Sequence, residues 1–256
     1  MDIDLDGQRA HAAYGPPAAR APTHVLVHGA GMSGASYAEV AAGLNARGIP
    51  TLAVDLPGHG ASEGPMLPTV EAAANWLARF IEAAGLESVT LVGHSFGALV
   101  ALDCAARHPE RVGAIGLIAV SAPMPIKPAV LTAARDAPAE AIDTLTDFGF
   151  PRRDDGAAPP TGQAATRALF EAAPAGALFA DLVACDHYSS GLKRAAEVTL
   201  PARLILGEFD RLTPMRHATP LIDALGSPAV TVVPAAGHML LAETPAAVVE
   251  ALASAA

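Results

Sequence analysis

The sequence predicts a doubly wound α/β fold with a mostly parallel sheet, and three observations carry that expectation. Six short apolar runs of strand length alternate with longer segments of helical periodicity. The runs are apolar throughout, as in strands covered by helices on both faces. The alternation then breaks for one long stretch, from about Ser121 to Val198, where no strand pattern occurs and Pro, Ala and Asp abound.

The strand candidates are THVLVHG from Thr23, PTLAVDL from Pro50, SVTLVGH from Ser88, VGAIGLIAV from Val112, ARLILGE from Ala202 and AVTVVPA from Ala229. Helical periodicity covers 36–47, 69–84, 97–107, 215–225 and 244–253. Such alternation builds right-handed βαβ units and hence a parallel sheet. Two weaker strands, MDIDLD and QRAHAAY, are expected to form an antiparallel edge. Residues 1–120 and 199–256 therefore read as the core. Residues 121–198 read as a helical lid inserted after the strand that follows the 97–107 helix. Within it, Pro151–Gln163 (PRRDDGAAPPTGQ) reads as an exposed loop between helices.

Composition narrows the function classes. With 256 residues, 52% of them apolar and 16% charged, the chain can bury a sizeable core. A net charge of -10 without any basic run disfavours a nucleic-acid partner, which needs clustered Lys and Arg, and none is expected. The start, MDIDLDGQRA, lacks an apolar signal region, and the longest apolar run, Val112–Ala122, is too short for a bilayer. Cys104 and Cys185 have no disulfide or metal spacing and read as reduced core thiols. The expectation is a cytoplasmic protein with no membrane partner. Its oligomeric state is not legible.

The chemistry centres on GHSFG, which lies between the Ser88 strand and the 97–107 helix. In that context G-x-S-x-G presents a serine on a tight bend, with Gly93 and Gly97 letting strand and helix approach closely. Ser95 is the candidate nucleophile. A serine hydroxyl needs a base, and the base an orienting acid. GEFDRLTP puts Asp210 in the loop after the Ala202 strand, and PAAGHMLLAETP puts His238 in the loop after the Ala229 strand. Loops at the carboxyl ends of parallel strands converge, and the chain order Ser, Asp, His suits such a site. Backbone N–H groups of Phe96 and of Ala30, in the HGAGMSG loop, are the candidate donors to a substrate oxyanion.

Other polar residues read differently. Glu208 is the lesser acid candidate. Asp55 fixes its own Gly/Pro loop, and His28, His59 and His94 shape loops around the site. Asp186 and His187 belong to the lid, where they are candidates for the pocket wall, while His108 and His217 fall on surface helices. Met124, Phe148, Phe150, Leu178 and Met239 are candidates for an apolar pocket lining. Neither of the two lysines, Lys127 and Lys193, nor the Arg152–Arg153 pair is placed at the site by pattern alone.

The motifs HGAGMSG, DLPGHGAS, GHSFG, GEFDRLTP and GHMLLAETP resemble, in order and approximate spacing over nearly the whole chain, the α/β-hydrolase superfamily. The similarity is to its lidded branch of serine esterases and non-haem haloperoxidases. That resemblance implies a Ser95–His238–Asp210 triad, an oxyanion hole at Ala30 and Phe96, and hydrolysis of a small to medium carboxylic ester through an acyl-enzyme. The same three residues also serve thioesters, lactones, amides, carbon–carbon bonds or perhydrolysis, and a non-catalytic ligand-binding protein is the rival from another class. No cofactor or metal is expected, since neither a dinucleotide fingerprint, a phosphate loop nor a metal-ligand cluster occurs in the sequence.

Overall fold

Among the described residues the eight strands are β1 (Asp2–Leu5), β2 (Gln8–Ala13), β3 (His24–Val27), β4 (Thr51–Val54), β5 (Val89–His94), β6 (Val112–Ile118), β7 (Ala202–Gly207) and β8 (Ala229–Val233). They lie in a computed structural model that describes residues 1–15, 23–152, 160–226 and 228–254. The strands form one sheet in the order β1-β2-β4-β3-β5-β6-β7-β8. The β1/β2 and β2/β4 pairs are antiparallel and all others parallel, so the two amino-terminal strands make the expected antiparallel edge.

The sheet is covered on both faces. Helices α1 (Ala38–Ala46), α10 (Leu240–Glu243) and α11 (Pro245–Ala253) pack one apolar layer around Leu26, Val92 and Ile205. Helices α2 (Val70–Ala83), α3 (Phe96–Arg107) and α9 (Met215–Ala224) pack the other around Val25, Leu91 and Leu117. Successive residues of β3 to β7 thus feed opposite layers, which explains why those strands are apolar runs. Helix α2 begins where Thr69 accepts a hydrogen bond from the Ala72 N–H, and it buries Val70, Ala73, Leu77 and Ile81 on one stripe. The stretch expected as a helix over 36–47 opens instead with a 3-10 turn at Gly34–Tyr37. There the Gly34 N–H donates to Asp55 Oδ1 at 2.7 Å, and regular helix starts only at Ala38.

Among the described residues, five helices run between β6 and β7: α4 (Pro128–Asp136), α5 (Pro138–Gly149), α6 (Gln163–Glu171), α7 (Ala177–His187) and α8 (Gly191–Glu197). Pro128 and Pro138 sit at helix starts, where a missing N–H costs nothing. This inserted segment has an apolar cluster of its own, including Ile142, Leu145, Phe170 and Leu182, which closes on Met32 and Met239 of the core. Its base is tied to α3 through Asp103, a buried carboxylate that accepts from Tyr188 Oη at 2.9 Å and pairs with Arg107 and Arg194. The expected loop at Pro151–Gln163 falls partly on residues 153–159, Arg153 among them, which lie outside the described residues. Among the described residues no helix is long and apolar enough to cross a membrane.

Candidate active site

Ser95 occupies the single-residue bend between β5 and α3, with φ 54° and ψ −115°. A non-glycine residue held there is strained by about 1–3 kcal/mol, and the surroundings over-determine it. Its N–H donates to the Ile118 carbonyl at 2.9 Å. A Cβ on Gly93 would sit 2.1 Å from the Gly97 carbonyl oxygen, and one on Gly97 would sit 2.3 Å from that of Val27. Those two positions admit only glycine. Phe96 is the first residue of α3, so its N–H has no acceptor in a preceding helical turn. The positive end of the helix points at the bend.

His238 follows β8 in a loop whose His238 N–H donates to the Gly149 carbonyl at 2.7 Å. Its Nδ1 lies 2.8 Å from Asp210 Oδ2. Both side chains are almost fully buried. Asp210 is held from four directions. Oδ1 accepts the Leu212 and Thr213 N–H groups at 2.8 Å each, while Oδ2 accepts the Thr213 hydroxyl at 2.7 Å as well as His238. Burial alone would raise the Asp210 pKa, but the neighbouring His238 and these hydrogen bonds hold it well below the usual carboxylate range. A carboxylate only accepts, so His238 Nδ1 carries the proton and Nε2 is left with its lone pair.

Ser95, His238 and Ala30 line one cavity of about 150 Å³. The Ala30 N–H makes no hydrogen bond among the described residues. Ser95, His238 and the Ala30 backbone thus meet at one cavity, with Asp210 behind His238 and Phe96 the residue after Ser95. Met124, Phe148 and Met239 line the cavity as expected, but Phe150 and Leu178 do not. Phe150 is buried beneath the wall in the inserted cluster, and Leu178 is spent against Gly31. Asp186 is also absent from the wall, its Oδ1 accepting the Ile126 N–H at 2.8 Å. Glu208 is exposed and bonds the Ala235 N–H at 2.8 Å, away from His238.

Sequence patterns missed several wall residues. Lys127 and Arg211 line the cavity and flank the Phe148 ring, with Nζ 5.5 Å and Cζ 4.7 Å from its centroid. Cys185 belongs to the core cluster but also reaches the wall. Cys104 and Cys185 are both free and buried, and burial with the nearby Asp103 and Glu110 pushes the Cys104 thiol up to about 12. Thr213, which backs both Asp210 and His238 Nδ1, had no signal beyond its place three residues after Asp210.

His28 and His94 pack as expected of loop histidines. His94 Nε2 donates to the His238 carbonyl at 2.9 Å, and His28 Nδ1 donates to that of Gly29 at 2.9 Å. Burial, with the neighbouring His238, pushes His94 down to about 3; burial, with His59 alongside, pushes His28 down to about 4. Both are neutral when folded and regain a value near 6.5 on unfolding. Below pH 6.5 the unfolded chain therefore binds more protons, so stability falls with pH until the folded values are reached. The expected slope from the pair approaches about 3 kcal/mol per pH unit between pH 6 and 4. Urea denaturation at pH 7 and pH 5 reads it directly; equal midpoints would refute neutral buried histidines.

A model of the alpha/beta hydrolase family matches residues 25–251. The chain belongs to the alpha/beta hydrolase family. Among curated relatives, the pimeloyl-[acyl-carrier protein] methyl ester esterase of Chromobacterium violaceum is 43% identical over 100 residues, 39% of this chain and 37% of the relative. Lipase LipV of Mycobacterium tuberculosis is 39% identical over 119 residues, 46% of this chain and 42% of the lipase. The matched stretch spans about two fifths of the length of these relatives. The crystal structure of a bromoperoxidase from Bacillus anthracis superposes with a TM-score of 0.86, covering 98% of this chain and 97% of that chain at 17% identity. At that identity the likeness is one of fold.

Proposed function

We propose that this chain is a serine hydrolase that cleaves a small to medium carboxylic ester, with Ser95 as nucleophile, His238 as base and Asp210 as the orienting acid. The observation that carries the reading is the His238–Asp210 hydrogen bond of 2.8 Å, buried beside the bend that raises Ser95 into the cavity. His238 Nε2 takes the Ser95 proton as Oγ attacks the ester carbonyl. The tetrahedral oxyanion is met by the N–H groups of Ala30 and Phe96. Collapse expels the alcohol, which receives the proton from His238, and leaves an acyl-serine. Water, deprotonated by the same nitrogen, releases the acid. The inserted segment, residues 121–198, acts as the lid over this cavity. The esterase and lipase among the curated relatives support the ester as the bond broken.

A fluorophosphonate probe tests the nucleophile. The folded protein is expected to gain one adduct, located on Ser95 by mass spectrometry after digestion, and to lose hydrolysis of p-nitrophenyl butyrate in step. Full turnover in protein carrying that adduct would sink the assignment. Absence of both adduct and turnover across p-nitrophenyl esters of two to twelve carbons would favour a ligand-binding role.

A further inference from the structure

The oxyanion loop is fastened to the inserted segment, not only to the sheet. Gly31, next to Ala30, donates its N–H to Asp181 Oδ2 at 2.8 Å, and Asp181 lies on α7, 150 residues away in sequence. Gly31 also has φ +63°, and a Cβ there would sit 2.9 Å from Leu178 Cβ. Leu178 and Asp181 are three apart on one helix, so they share the face that α7 presents to the loop. The Gly31 N–H belongs to the same peptide plane as the Ala30 carbonyl. Holding it limits the rotation of Ala30, and so the direction in which the Ala30 N–H points.

The acceptor is itself held. The same Oδ2 lies 3.0 Å from His59 Nε2, and both side chains are at most 2% exposed. The other ring nitrogen, Nδ1, lies 3.0 Å from the Pro57 carbonyl. Both nitrogens face only acceptors, so both carry hydrogen and the ring is an imidazolium opposite a carboxylate. Burial opposes that charge, but Asp181 outweighs it and raises His59 above its ordinary value. His28, whose ring centroid is 4.9 Å away, stays neutral: Nδ1 donates to Gly29 and Nε2 accepts the Leu56 N–H at 3.2 Å. Removing Asp181 would strand a buried cation and a buried amide together.

We infer that Asp181 is a positioning residue for the oxyanion hole: its carboxylate, paired with His59, sets the Gly31 N–H and through it the Ala30 donor, so that donor is in place only while α7 is docked. This rests on the reading of Ser95 as nucleophile under Ala30 and Phe96. The two can fail separately, since Ser95→Ala with full turnover ends that reading whatever Asp181 does.

Asp181→Leu, which has no acceptor, is expected to lower kcat on p-nitrophenyl butyrate per titrated active site about 10- to 100-fold, with KM within twofold. Butylboronic acid adds a second readout. Ser95 Oγ bonds to its boron, the proton passes to His238, and a hydroxyl of the resulting tetrahedral boronate anion occupies the hole; its Ki should rise by the factor that kcat loses. Asp181→Asn keeps one acceptor without the charge and should lose about threefold to tenfold in kcat. If the Leu variant does not fold, the Asn variant decides alone. Wild-type kcat per titrated site with unchanged boronate Ki, whatever the melting temperature, overturns the inference, because a role in stability alone gives that result.

Discussion

Ser95→Ala is expected to fold as the wild type does and to lose on the order of 10⁴-fold or more in kcat against p-nitrophenyl butyrate. The backbone argument makes this loss chemical. Alanine keeps the Cβ, so the bend at φ 54°, the Ser95 N–H bond to Ile118 and the start of α3 are undisturbed. Thermal unfolding should then shift by less than about 0.5 kcal/mol in equivalent stability, because no buried contact goes with the hydroxyl. Ser95→Gly separates strain from chemistry. It should be as inactive as Ser95→Ala but hold the bend with less steric strain, since glycine takes positive φ without a clash. Turnover in Ser95→Ala equal to that of the wild type would remove Ser95 from the mechanism.

Much of this arrangement was legible in the sequence because it depends on local pattern. The core strands are apolar runs because both faces of the sheet are covered, as Val25 and Leu26 show by feeding opposite clusters. Gly93 and Gly97 could be read as a close strand–helix approach, and the distances their absent Cβ atoms would make bear that out. Asp210 and His238 were found because each follows a recognisable strand. What was not legible depends on side chains that meet only when distant segments fold together. His59 reaches Asp181 across 122 residues and Gly31 reaches it across 150, with no spacing to announce either contact. Phe150 and Leu178 were expected at the cavity for their apolar character, yet that character equally suits the interior of the inserted segment, where both lie. Lys127 and Arg211 were invisible as wall residues because one precedes α4 and the other lies in the loop before α9, 84 residues further on (211 − 127), and no spacing in the sequence announces that they meet at the Phe148 ring.

Asp210→Asn should also be close to inactive, with kcat lower by on the order of 10³- to 10⁴-fold, and the hydrogen-bond pattern explains why so small a change costs so much. The amide has one acceptor and one donor where the carboxylate has two acceptors. The Leu212 and Thr213 N–H groups, each 2.8 Å from Oδ1, fix the carbonyl oxygen on that side. The NH₂ group then replaces Oδ2 and faces His238 Nδ1, which stands 2.8 Å away in the wild type. Two donors cannot share that contact, so the imidazole moves its proton to Nε2 and has no lone pair left to take the Ser95 proton. The opposite amide orientation restores an acceptor for His238 only by setting a donor against two backbone donors, which is worse. Thr213→Val is the control, since it removes one of the four donors to Asp210 and leaves the carboxylate on His238; kcat should fall by less than tenfold. Kinetics of both variants at neutral pH, with folding checked by circular dichroism, decide the matter. An Asp210→Asn protein that turns over as fast as Thr213→Val would show that His238 is oriented by something other than this carboxylate.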